Sequence, residues 1–292
     1  MRVTAWTRIR DDVAALDWPD VPRAGVATGA GLSGFAARWW VERVRAGGGA
    51  ARFVPVSEWA VSPRPPAEPT VIFSFGLSNN AQIPLRTGRG PRFVVTSAAP
   101  EAVRRVAPEA IRIPLPPASE PGPWTTSRIQ AVGLLRMLGR TLPDPGPAPP
   151  AEAPDLIVHG PGLEAPARWL AWALLEHRRA PPPAVVEALD LGHGMLGSFA
   201  GRRRPVWLVY GPAHAALFTR VRRVLAAAGA RCTDFGARDG PLGGFVRALD
   251  AGAELPAGAP HGLDDAPLYG LDRPLRGGGG RTETRPGPAG RP

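Results

Sequence analysis

Short apolar runs recur along the chain, each closed by small or polar residues and followed by a segment with helical spacing. "AGVAT" (24–28) leads into Gly29-Ala30-Gly31 and then "LSGFAARWWVERVRA" (32–46), whose apolar positions suit a helix. "ARFVPV" (51–56), "TVIFSF" (70–75) and "PRFVVTS" (91–97) follow as strand candidates, and "TTSRIQAVGLLRMLGRTL" (125–142) returns to helical spacing. Strands alternating with helices predict parallel βαβ units. One run stands out. In "VIFSFGLSNNAQ" (71–82) the apolar stretch ends in Ser74, Gly76, Ser78, Asn79 and Asn80, more polar residues than a hairpin turn needs, and Ala81–Leu85 no longer reads as a strand. It is either a solvated loop or a cradle for an oxygen-rich ligand.

"PDPGPAPPAEAP" (143–154) reads as a Pro-rich linker, and beyond it the pattern starts again. "TGAGLSGFAARWW" from Thr28 is matched by "HGPGLEAPARWLAW" from His159: Gly29 with Gly160, Gly31 with Gly162, Leu32 with Leu163, Ala36 with Ala167. "VIFSFGLS" is matched by "VWLVYGPA", Gly76 with Gly211, at nearly the same offset. Two matches at one offset predict a duplicated α/β unit. The expected organisation is a first subdomain over 1–142, the linker at 143–154, a second subdomain over 155–276 and a Gly/Pro/Arg-rich tail over 277–292. Each subdomain is expected to be a doubly wound parallel sheet of the flavodoxin-like kind.

Composition narrows the classes. The apolar fraction of 44% is globular, and no apolar run reaches the length of a bilayer span. The first residues contain no apolar stretch of a secretory leader, so a soluble, cytoplasmic protein without membrane partners is expected. Cys232 stands alone, which excludes an intrachain disulfide and a cysteine zinc site. His159, His214 and His261 are scattered without ligand spacing, so no metal is expected.

The net charge of +10 comes entirely from arginine, since the sequence has no lysine. That excludes a Schiff base and a P-loop lysine. The basic runs, such as Arg202–Arg204, accompany no nucleic-acid-binding motif, and nucleic acid is not an expected partner. Arginine suits phosphate and carboxylate groups equally well. Gly29, Gly31 and Gly34 have the dinucleotide-binding spacing. Pro55 and Val56, however, stand where that motif places its acidic residue, and Ala165 replaces the third glycine of the second copy. No cofactor is expected.

With the glycine turn at Gly29–Ser33, the hydroxyl-rich loop at Ser74–Asn79, Thr96-Ser97, "EPGPWTT" (120–126), "WALLEH" with Glu176 and "LDLGHGM" with His193, the chain resembles over nearly its whole length the sugar isomerase (SIS) domain family. It is similar to double-SIS proteins such as the isomerase domain of glucosamine-6-phosphate synthase, the AgaS-like proteins and the fructosamine deglycases. Gly29–Ser33 is a Gly-x-Gly-x-Ser turn, and Thr96-Ser97 stands in place of the family's Thr-Asn. "EPGPWTT" matches a Glu-x-Gly-x-x-Ser-Thr segment, and "GLDRPLRGGGGRTET" resembles the family's tail.

The resemblance implies a sugar-phosphate isomerase, aldose–ketose or amino-sugar, working through an enediol. The alternatives are a catalytically silent sugar-phosphate sensor or partner subunit, and a deglycase-like lyase. It implies substrate contacts at Gly31, Ser33, Ser74, Gly76, Ser78, Asn79, Asn80, Glu120, Thr125 and Thr126. Glu176 is the expected base, its pKa raised by the apolar helix "WLAWALLEH", and His193 opens the ring. Glu120, Thr125 and Thr126 also admit a reading as helix-start residues. A homodimer is implied as well.

Overall fold

The computed structural model describes residues 5–62, 64–120, 122–140, 148–178, 181–192, 203–236 and 241–257. After a first helix, α1 (Ala5–Ala14), the chain runs β1 (Ala24–Gly29), α2 (Gly31–Ala46), β2 (Ala50–Phe53), α3 (Val56–Val61), β3 (Thr70–Phe73) and α4 (Asn79–Thr87). It continues through β4 (Arg92–Thr96), α5 (Pro100–Val106), β5 (Ile111–Pro114) and α6 (Pro123–Met137). The second half begins with β6 (Leu156–His159), α7 (Glu164–Arg178), β7 (Ala184–Glu187) and β8 (Pro205–Val209). Helix α8 (Ala215–Ala227), β9 (Arg231–Asp234) and α9 (Pro241–Ala253) follow.

Among the described residues every strand pairing is parallel. The first sheet has the order β2-β1-β3-β4-β5 and the second β7-β6-β8-β9, so the first four strands of both halves are wound in the same order. The fold is α/β, two doubly wound parallel sheets in tandem. Central strands of such sheets are covered on both faces, which is why "TVIF" and "LIVH" are buried along their whole length. The matched sequence segments occupy equivalent places: Gly29 and Gly160 at the ends of β1 and β6, Gly76 and Gly211 just past β3 and β8.

Strand β2 stops at Phe53, short of the expected "ARFVPV". Pro55, at φ −58°, becomes the entry residue of α3, and its ring leaves no N–H for a further ladder bond. The later part of the Pro-rich stretch is docked: the Glu152 carbonyl accepts a hydrogen bond from Trp207 Nε1 at 2.8 Å, and Ala148, Ala151 and Ala153 pack against the core. That core is continuous across the halves. Trp39 of α2, Trp169 of α7 and Phe245 of α9 meet with ring centroids 5.5–6.5 Å apart, between residues of both sheets. Among the described residues no helix is long and apolar enough to cross a membrane.

Candidate functional site

In sheets wound outward from β1, the crevice for a ligand lies at the carboxyl ends of the strands, where β2 leaves to one side and β3 to the other. The turn after β1 is shaped by glycine. Gly31 has φ +56°, a left-handed conformation that turns the chain directly into α2. Gly29 has no room for a side chain, since a Cβ there would stand 2.7 Å from the Ser33 carbonyl oxygen. The equivalent turn after β6 repeats this, with Gly162 at φ +70°. Ala30, the N-cap of α2, has no side-chain oxygen, so α2 begins without a side-chain cap. Ser33 lies buried beneath this turn.

The loop after β3 is braced from within. Ser74, 5% exposed, accepts the Ser78 backbone N–H on its Oγ at 3.0 Å and lies 3.5 Å from Ser78 Oγ, so it clips the loop together. The Phe75 carbonyl accepts hydrogen bonds from Thr96 Oγ1 at 2.9 Å and from Ser97 Oγ at 2.7 Å. Leu77, at φ +54°, then carries the chain into α4, with Ser78 as N-cap. Gly76, Ser78 and Asn79 are exposed, and Asn80 turns to the β1 side.

Gly31 and Asn80 meet in a cleft of 440 Å³. Its floor is Gly29, Ala30 and Gly34, and its walls include Phe35, Arg38, Phe53 and Trp172. The Arg38 guanidinium stacks 3.9 Å above the Phe53 ring centroid, and the Phe35 and Trp172 rings lie 6.0 Å apart. Asn79 lines a separate hollow of 200 Å³ with Trp59, Gln82 and Arg86. Glu120 is exposed and Thr125 and Thr126 are half-buried at the head of α6; none of them lines the cleft.

Glu176 lies on the exposed side of α7, where its Oε1 accepts a hydrogen bond of 2.7 Å from Trp172 Nε1. The expectation of a carboxylate desolvated by an apolar helix is therefore corrected: Ala171, Ala173 and Leu174 take the buried faces. His193 lies outside the described residues.

The desolvated carboxylate of this region is Glu42, which the sequence reading did not single out. It lines a second groove, of 750 Å³, between α2 and α7, together with Arg38, Arg45, Arg52, Glu164 and Arg168. Burial, and next the charge of Glu164, push the Glu42 carboxyl up to about 7 against the opposing pull of Arg43 and Arg38. The available signal was the stripe Phe35, Arg38, Glu42, Arg45, which recurs at helical spacing on one face of α2. The groove and the cleft share Phe35, Arg38, Phe53 and Pro55. Among the described residues no group of three His, Cys, Asp or Glu side chains could hold a metal ion.

No protein-family model matches the sequence, and no curated protein matches it either. Solved structures do match. A glucosamine-6-phosphate deaminase from Thermotoga maritima is similar at 14% identity and a TM-score of 0.59, over 84% of this chain and 88% of that one. The C-terminal domain of the glucosamine-fructose-6-phosphate aminotransferase from Francisella tularensis is similar at 12% identity and a TM-score of 0.60, over 85% of this chain and 93% of that one. A tagatose-6-phosphate ketose/aldose isomerase from Escherichia coli matches at 16% identity and a TM-score of 0.50, over 86% and 87%. The resemblance to the SIS-type proteins holds at the level of the fold.

Proposed function

We propose that this protein binds a phosphorylated sugar in the cleft at the carboxyl ends of β1, β2 and β3, and isomerises it. The observation that carries the reading is the convergence of Gly31 in the first turn of α2, Asn80 in the first turn of α4, and Arg38 around one concavity at the switch point. Helix-start N–H groups and a guanidinium are the groups that recognise phosphate. Phe35 and Trp172 offer apolar faces to a sugar's C–H groups. A volume of 440 Å³ falls within the ~300–1,000 Å³ of small-molecule sites. The similar solved structures carry hexose 6-phosphates in their names, which supports the same class of ligand.

In the isomerase reading, His193 opens the ring. Glu176 then takes a proton from the carbon beside the carbonyl and returns it to the neighbouring carbon through an enediol. Glu176 is hydrogen-bonded to Trp172, a wall of the cleft, which keeps it beside the site. A second reading, a sensor that binds without turnover, is favoured by one observation: Glu176 stands outside the lining of the cleft. Thermal shift against a panel of hexose phosphates tests binding, since a ligand at about 100 times its Kd adds about 2.7 kcal/mol. Asn80→Ala should weaken that binding by about 1–3 kcal/mol. Deuterium uptake from solvent at the carbon beside the carbonyl, lost in Glu176→Gln, is expected of the isomerase. Binding without any uptake in the wild type leaves the sensor reading. We also propose a homodimer, as the resemblance implies; light scattering that gives a monomer at micromolar concentration would refute it.

A further inference from the structure

We propose that the groove between α2 and α7 holds a second acidic group of the ligand, so that the substrate class is a sugar phosphate bearing a further phosphate or carboxylate. This rests on the reading that the neighbouring cleft binds a sugar phosphate. Four guanidinium groups line the groove from three elements: Arg38 and Arg45 from α2, Arg52 from β2 and Arg168 from α7. Two of them are engaged at the surface, Arg168 with Glu164 at 2.9 Å and Arg52 with Glu68 at 3.0 Å. Among the described residues, neither Arg38 nor Arg45 has a carboxylate within 4.0 Å: Arg38 stacks on Phe53, and Arg45 Nε donates to the Ala51 carbonyl, which leaves its Nη groups on the groove face of α2.

The acidic groups facing the groove are Glu42 and Glu164. Because burial holds the Glu42 carboxyl near 7, it is about half protonated at neutral pH, and the four arginines outweigh the negative charge of Glu42 and Glu164. Guanidinium forks match phosphate and carboxylate oxygens in pairs, and a partly closed groove strengthens that attraction relative to open water. Phe35, Arg38, Phe53 and Pro55 border both hollows, so one ligand can run from the cleft past Arg38 into the groove.

The test compares fructose 6-phosphate with fructose 1,6-bisphosphate and 6-phosphogluconate by calorimetry at low salt, on the wild type and on the double variant Arg45→Ala/Arg168→Ala. Both residues are outside the cleft; Arg168 makes only an exposed ion pair, which contributes little to folding, and Arg45 pairs with no carboxylate among the described residues, its Nε donating to the Ala51 carbonyl. In the wild type at least one compound with two acidic groups should bind about tenfold tighter or better, a difference of about 1.4 kcal/mol. The double variant should lose that advantage and bind the monophosphate as before. The bisphosphate and phosphogluconate arms tell whether phosphate or carboxylate is preferred. Equal affinities for all three compounds in the wild type, or an advantage that survives in the double variant, would overturn the inference and leave the sugar-phosphate reading standing. Failure of all three to bind the wild type would overturn both.

Discussion

Glu42 Oε2 is closed off from solvent and has no hydrogen-bond partner. Its folded-state pKa, about 7, lies above the ordinary 4.5, with burial the main cause and Glu164 the second. Between those two values the folded protein holds the proton that the unfolded chain has released, so raising the pH through that window costs stability. Below the window Glu42 carries no such penalty, and above it the penalty is complete. Glu42→Gln keeps the shape and removes the titration. The variant should therefore gain Tm over the wild type at about pH 8 and gain little at about pH 5. Melting curves across that range would show it, and a gap independent of pH would contradict it. Asp250 is held differently. Burial raises its pKa, yet Trp6 Nε1 donates to it at 2.7 Å and Arg128 Nη2 at 2.6 Å, tying α1 to α6 and α9. Trp6→Phe deletes one donor to this half-buried carboxylate and should cost about 1–3 kcal/mol in denaturant titrations. No change in the midpoint would mean that water replaces the indole at no cost.

At the scale of elements, the turn between β1 and α2 makes a graded prediction. Gly31→Ala meets open space and pays only for its left-handed backbone, about 1–2 kcal/mol. Gly29→Ala drives a Cβ to 2.7 Å from the Ser33 carbonyl oxygen, so the strand end and α2 must move apart. Gly29→Ala should be the more destabilising of the two by chemical denaturation; the reverse order would show that the turn yields. Such turns were legible in the sequence because a positive φ and a close backbone approach both select glycine, and they recur in both halves. The central strands were legible because double-sided burial demands unbroken apolar runs. Strand β5, "IRIP", was not, since it is short, begins with an exposed Ile111 and runs into prolines. Helix α3 was missed because Pro55 and Val56 read as the end of a strand. In the site, the loops were legible and the helix faces were not. Arg38, Glu42 and Arg45 look like a solvated stripe until β2 and the start of α7 are laid beside them. Glu176 misled in the opposite way: the residues around it are apolar, but it shares the exposed face with Trp172, one turn before it.

For the whole molecule, the two sheets share their strongest packing. Trp39 and Trp169 are fully buried, one from each half, and both press against Phe245, while Trp169 Nε1 donates to Ser127 Oγ of α6 at 2.9 Å. Residues of both sheets, including Ala27, Val71, Ile157 and Trp207, belong to the same apolar cluster. Neither sheet can lose its inner helices without uncovering the other's core, so the halves should unfold together despite their separate hydrogen-bonded ladders. One transition is expected in calorimetry, with the calorimetric and van't Hoff enthalpies in agreement. Trp39→Ala removes a side chain with no slack around it and should cost about 3–5 kcal/mol. The decisive feature is how that loss is distributed. If the shared core couples the halves, Trp39→Ala lowers a single midpoint, followed equally by near-ultraviolet circular dichroism and by amide exchange in β3 and β8. If the halves are independent, the variant melts the first sheet early and leaves protection in β8 unchanged, and the coupling argument fails.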